Sequence, residues 1–226
     1  MSAEEDAVGT DPINPTAAAR RNSERSQQQR ARILDAAQHC FIESGFHAAG
    51  MASIAARADM SPGLIYRYFE SKSAIILSII ERQLLEKQAS ISTLKSGPEL
   101  SLRICELFRA WQRGDDTVMN AALFLEMSAE ATRDPEIAKA LARADRASSR
   151  QFQQWVEQHA PVPGAAAADG DLSERILIFQ CFIEGLAIRA VRDPKFDAAI
   201  VAAAVQHLVR ALVHDAGAEP EPQGDC

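Results

Sequence analysis

Cysteine is scarce and unpatterned in this chain. The four thiols, at positions 40, 105, 181 and 226, form no CxxC pair and have no histidine at ligand spacing. A zinc ribbon and a dense disulfide framework are thereby excluded, and a reducing, cytoplasmic setting is expected. Aromatic residues make up only 6% of the 226 residues, so few rings are available to line a binding site. No run of about 18 residues is free of polar and charged groups, so no transmembrane helix is expected. The first twenty residues are acidic and polar, unlike a secretory signal. Neither GxSxG, HExxH, a P-loop nor GxGxxG occurs. The five histidines, at 39, 47, 159, 207 and 214, show no metal-site or triad arrangement. Catalysis, a bound metal and a cofactor are therefore not expected. Strand signals are missing too: no segment alternates at period two, and no Asn-Gly or Asp-Gly joins two such segments.

What is present is unevenly charged. The net charge of −7 and the pI of about 5.3 at first argue against nucleic acid, whose binders are often basic. Divided along the chain, residues 1–19 carry −4. Residues 20–82 carry nine Lys/Arg against six Asp/Glu, or +3, and residues 83–226 carry fifteen against twenty-one, or −6. A basic block followed by an acidic body points to nucleic acid or another anionic surface for the basic part.

Residues 1–19 and 216–226 lack apolar periodicity and read as disordered tails. Between them the periodicity is helical throughout. Helices are expected at 24–44, 51–58, 62–69, from Ser71 onward, and at 98–113, 116–132, 134–159, 172–191 and 196–215. Gly45 reads as the residue that ends the first. Ser61-Pro62 and Asp134-Pro135 read as cap and first-turn pairs, and residues 160–170 as the longest interior loop. The fold class is all-α. An N-terminal helix-turn-helix domain (20–82) precedes a larger helical domain (83–215).

The segments 51–58 and 62–69, joined by a short turn, have helix-turn-helix spacing. Ile54, Ala55, Ala58, Leu64, Ile65 and Phe69 would face inward, leaving Gly63, Tyr66, Arg67 and Tyr68 partly exposed. Arginine can read guanine or grip phosphate, and tyrosine hydroxyls bond phosphate. A plain helical hairpin with surface tyrosines satisfies the same spacing. So does an all-helical small-ligand carrier or enzyme whose N-terminal helices are scaffold.

Residues 30–76 resemble the N-terminal domain of TetR/AcrR-type transcriptional regulators. The matching residues are Ile33-Leu-Asp-Ala-Ala37, Phe41, Gly45-Phe46, Ile54-Ala55, Ala58, Ser61, Gly63, Tyr66, Tyr68-Phe69 and Lys72. The resemblance implies a DNA-binding regulator, more often a repressor. It implies that Ser61, Pro62, Gly63, Tyr66, Arg67, Tyr68 and Lys72 face DNA. Gly63 would permit close approach; Tyr66, Tyr68 and Lys72 would meet phosphates, and Arg67 a base edge or phosphate. Arg20, Arg21 and Arg25 read either as a flexible arm or as a solvated helix start. The sequence departs from the family pattern at three places. Ala49-Gly50 replaces a hydroxyl pair, Asp59 stands where glycine is usual, and Pro62 brings no donor. Aspartate tolerates the left-handed backbone better than most residues.

Beyond residue 84 the resemblance rests on length and helical character. It implies a homodimer through helices 172–191 and 196–215, bound to a near-palindromic double-stranded operator. It also implies an unidentified small-molecule effector. Candidate effector contacts are Phe108, Trp111, Phe124, Met127, Phe152, Trp155 and Phe179, with Glu126 and Glu184 as anchors for a cation; plain core packing explains the rings equally. His207 and His214 read as a pair at the dimer surface, and Cys40, Cys105 and Cys181 as small packed groups.

Overall fold

The computed structural model describes residues 17–115, 120–159 and 172–213. They form nine helices: α1 (Ala17–Ala48), α2 (Met51–Arg57), α3 (Pro62–Ile65), α4 (Lys72–Ser92), α5 (Gly97–Gln112), α6 (Ala121–Ala131), α7 (Pro135–His159), α8 (Leu172–Arg192) and α9 (Ala198–Val213). No strand occurs among the described residues, and no helix among them is long and apolar enough to cross a membrane.

Capping side chains set most helix starts. Ser61, Ser71, Ser96 and Asn120 accept from the N–H groups of Leu64, Ala74, Glu99 and Leu123 at 3.3, 3.0, 3.3 and 3.1 Å. Asp134 accepts from Glu136 N at 2.9 Å at the head of α7, and Asp197 from Ala199 N at 2.8 Å at the head of α9. Each such bond satisfies a donor that the helix start leaves without a partner. At Gly50 no side chain is available. There Ser53 Oγ accepts from Gly50 N at 3.0 Å and donates to Gly50 O at 2.8 Å, which restores half of a capping box.

Several boundaries differ from expectation. α1 begins at Ala17, seven residues upstream of 24, because the strong helix formers Ala17-Ala-Ala-Arg-Arg21 extend it. The start of the helix at 17 also removes residues 17–19 from the expected tail. Gly45 does interrupt α1, with φ 76 and ψ 162, but one more helical turn follows. α3 is four residues long rather than eight. After Ile65 the bonds tighten, Arg67 N to Leu64 O (3.1 Å) and Tyr68 N to Ile65 O (3.0 Å). Ser71 then takes the extended backbone, φ −154, that an N-cap needs. α9 begins at Ala198, and Phe196 lies before it as a half-buried loop residue. Residues 1–16, 116–119, 160–171 and 214–226 lie outside the described set, as do the expected loop 160–170, the tail 216–226, His214 and Asp215.

Two apolar clusters form. The first joins α1 through α4 and takes in Leu123, Met127, Ile137 and Ala140 from α6 and α7. The second lies among α5, α7, α8 and α9 around Phe108, Trp111, Phe152, Trp155, Val205 and Leu212. α4 belongs to both, with Ile75–Ile80 in the first and Ile91 in the second. It runs parallel to α7. Ser73 pairs with Asp134 (3.3 Å), Gln151 Nε2 donates to Gln88 O (2.9 Å), and Trp155 Nε1 to Leu94 O (2.9 Å).

Candidate nucleic-acid interface

The turn between α2 and α3 is made by one residue in the left-handed region, Asp59 at φ 51. Aspartate thus occupies this conformation without the freedom glycine would bring. Ile54 and Ala55 of α2 are fully buried, as is Ile65 of α3, while Ala58 and Phe69 are nearly so. Leu64 is only half-buried. This packing fixes the two helices and leaves one face outward.

Ser61, Pro62, Gly63, Tyr66 and Arg67 are exposed on that face, and Tyr68 is half-buried. Tyr66 is 55% exposed. Nothing lies within 4 Å of where a Gly63 Cβ would stand, so the glycine presents bare backbone to the outside. The Ser61 hydroxyl is committed to the α3 cap. Arg67 sits in the turn after α3, not on a helix, and its guanidinium pairs with no described residue.

Lys72 is held differently. Its ammonium donates to the carbonyls of Phe46, Ala49 and His47 at 2.5, 3.0 and 3.3 Å. It also lies 4.3 Å from the Phe46 ring centroid. Burial pushes the Lys72 ammonium below its ordinary range, opposed by Glu130. Its donors therefore close the end of α1 in this state.

Two arginines outside the expected set brace the unit. Arg30 donates to Tyr68 O at 2.7 Å and lies 4.2 Å from the Phe69 ring centroid. Arg32 donates to Ala58 O at 2.7 Å. Each satisfies a carbonyl at an end of the helix-turn-helix, and nothing in local sequence spacing identifies the pairs, which are 38 and 26 residues apart. Arg57 forks onto Glu43 at 2.5 and 2.7 Å and holds that carboxyl below the usual carboxylate range. Arg20, Arg21 and Arg25 are exposed on the first turns of α1, which are helical rather than a flexible arm.

In the larger domain, Phe108, Trp111, Phe152, Trp155 and Phe179 are buried in the second cluster, with Phe124 packed against it. Met127 is not with them; it lies in the first cluster. Phe152 stacks on Phe179 with centroids 4.6 Å apart, and on Trp155 at 5.8 Å. Glu126 faces the head: its Oε2 accepts from Phe46 N at 2.9 Å, across 80 residues, just after the break at Gly45. Glu184 keeps solvent access, yet desolvation by nearby protein raises its carboxyl above the usual range, with Asp145 adding and Lys87 opposing.

On α8, Leu177 (60%), Ile178 (58%) and Cys181 are exposed in one stripe. On α9, Ile200, Ala203, Ala204, His207 and Ala211 form another. Among the described residues no element covers these apolar, small-residue faces.

A family model described as bacterial regulatory proteins, tetR family, matches residues 33–79, and one described as BetI-type transcriptional repressor, C-terminal, matches residues 102–214. The chain is 34% identical over 120 residues to the HTH-type transcriptional regulator UidR of Escherichia coli K12, covering 51% of this chain and 58% of UidR. It is 31% identical over 115 residues to the HTH-type transcriptional repressor KstR of Mycolicibacterium smegmatis, covering 47% and 56%. The chain thus spans little more than half the length of these curated relatives. The solved structure of Salmonella enterica GusR is similar with a TM-score of 0.67 and 26% identity, over 82% of this chain and 95% of that one.

Proposed function

Because the chain belongs to the tetR family of bacterial regulatory proteins, we propose that it is a homodimeric, sequence-specific DNA-binding regulator acting in the cytoplasm, and a repressor. The exposed face built from Pro62, Gly63, Tyr66 and Arg67 carries this reading. Its backbone can approach a groove wall at Gly63, and its guanidinium is uncommitted. Tyr66 and Tyr68 offer hydroxyls to phosphates, and Arg67 reaches a base edge or the backbone. Lys72 joins them only by exchanging a carbonyl of α1 for a phosphate.

The uncovered stripes on α8 and α9 support dimerisation through these helices. A two-fold pair would set two heads about 34–36 Å apart, one turn of DNA, on a near-palindromic site. An effector seated among Phe108, Trp111, Phe124, Phe152, Trp155 and Phe179 would have a route to the head. α6 carries Phe124 against the second cluster and Glu126 onto Phe46 N. A ligand that prefers the head spacing unsuited to DNA lowers DNA affinity by population shift.

The test is a gel-shift or fluorescence titration on the intergenic duplex upstream of its own coding region, against a scrambled duplex. Selective, salt-sensitive binding is expected. Arg67→Ala should weaken it by about 1–3 kcal/mol if the contact is to a base, with helical content and dimer unchanged. Equal affinity for both duplexes in the wild-type protein overturns the proposal.

A further inference from the structure

An open groove of about 850 Å³ lies between the N-terminal turns of α1 and the helix-turn-helix, lined in part by Asn22, Arg25, Gln29, Arg32, Asp59 and Arg67. Asn22, Arg25 and Gln29 stand at i, i+3 and i+7, one face of a helix. Among the described residues four guanidiniums border the groove, Arg25, Arg30, Arg32 and Arg67, against the one carboxylate of Asp59. Two of them are committed: Arg30 to Tyr68 O and Arg32 to Ala58 O, each at 2.7 Å. Arg25 and Arg67 pair with no described residue, and both are exposed.

We infer that this groove seats a stretch of DNA backbone, with Arg25 and Arg67 gripping successive phosphates from two elements. This rests on the DNA-binding reading above and extends it to a part of the chain outside the helix-turn-helix. The groove shares Arg67 and Tyr68 with the recognition face, so a duplex on that face meets the groove without a gap. Asn22 and Gln29 add the neutral donors that commonly hold phosphate and sugar oxygens. The Arg30–Tyr68 bond fixes the register of α1 against the turn. Arg25 lies five residues earlier, about 7.5 Å along the helix axis. At 3.4 Å of axis per step on one strand, that lengthens each half-site footprint by about two base pairs. Asp59, fully exposed and 4.0 Å from Arg32, opposes the phosphates and weakens the grip.

Arg25→Ala and Asp59→Asn test the inference on the intergenic duplex and its scrambled counterpart, with salt varied. Alanine at an exposed helix position keeps α1, and asparagine keeps the left-handed turn. Each phosphate contact contributes about 0.9 to the slope of log K against log salt, and a dimer carries Arg25 twice. Arg25→Ala should therefore flatten the slope by about 1.8 and weaken both duplexes by the same factor. Asp59→Asn should tighten both. An unchanged slope in Arg25→Ala overturns the inference, as does a loss confined to one duplex, which would mark a base contact. If the wild-type protein itself does not distinguish the duplexes, the DNA reading fails first, and that result is separable from either variant's.

Discussion

At Gly45 the backbone enters φ 76, ψ 162, a region that residues with a Cβ avoid at a cost of about 1–3 kcal/mol. Gly45→Ala should destabilise the protein by that amount, read as a lower urea midpoint with an unchanged slope. The added Cβ would stand 3.5 Å from Glu126 Oε2, an ordinary contact, so the loss measures backbone strain and not a clash. An unchanged midpoint would show that the break relaxes freely. The glycine was legible in the sequence as a helix breaker. The turn that follows it was not, since it is pinned by Glu126 from 80 residues away. Asp59 was legible for the opposite reason: its left-handed backbone is a local demand. Lys72 stood out by its charge, but the three carbonyls around it come from another helix, and no pattern near residue 72 encodes them.

Helices read from periodicity kept their places, while their ends moved wherever a cap or a tertiary bond decided. α3 stops at Ile65, where the bonds tighten to i→i+3 at Arg67 and Tyr68, and Ser71 caps α4 six residues on. In the sequence Arg20, Arg21 and Arg25 read either as a flexible arm or as a solvated helix start; the helix beginning at Ala17 decides for the latter, and the stripe Asn22, Arg25, Gln29 exists only once the segment is helical. The apolar residues of α8 and α9 are plain in the sequence, and the structure sorts them into a buried side and an open one. Leu177→Glu, on the open side, should convert dimer to monomer in sedimentation or light scattering, because a carboxylate taken out of water unpaired costs several kcal/mol. A thiol probe supplies a second readout: Cys181, one turn along α8, should label slowly in the wild type and quickly in the variant. A dimer that survives the substitution places the interface elsewhere.

In the whole molecule, the two apolar clusters are separated along α4 and α7 by polar side chains. Gln83 is 9% exposed, and its Nε2 has no hydrogen-bond partner among the described residues; nor has the Oε1 of Gln151. A buried amide left unsatisfied costs about 1–3 kcal/mol, and an apolar group of similar shape avoids the cost. Gln83→Leu should therefore raise the urea midpoint. A fall would mean that the amide is satisfied in solution. The sequence placed Gln83 on a helix but not between two cores, since that position depends on which residues of α7 stand opposite.

The helix those cores share has a mechanical consequence. α4 is 21 residues long, about 30 Å from end to end. A tilt of about 10° about its Ile91 end carries its other end sideways by about 5 Å. In a two-fold pair the displacements add, to about 10 Å against a head spacing of about 34–36 Å. The leverage comes from length alone, so an adjustment of under an ångström beside Ile91 is enlarged several-fold at Ser71 before any side chain on the DNA side has moved relative to its neighbours.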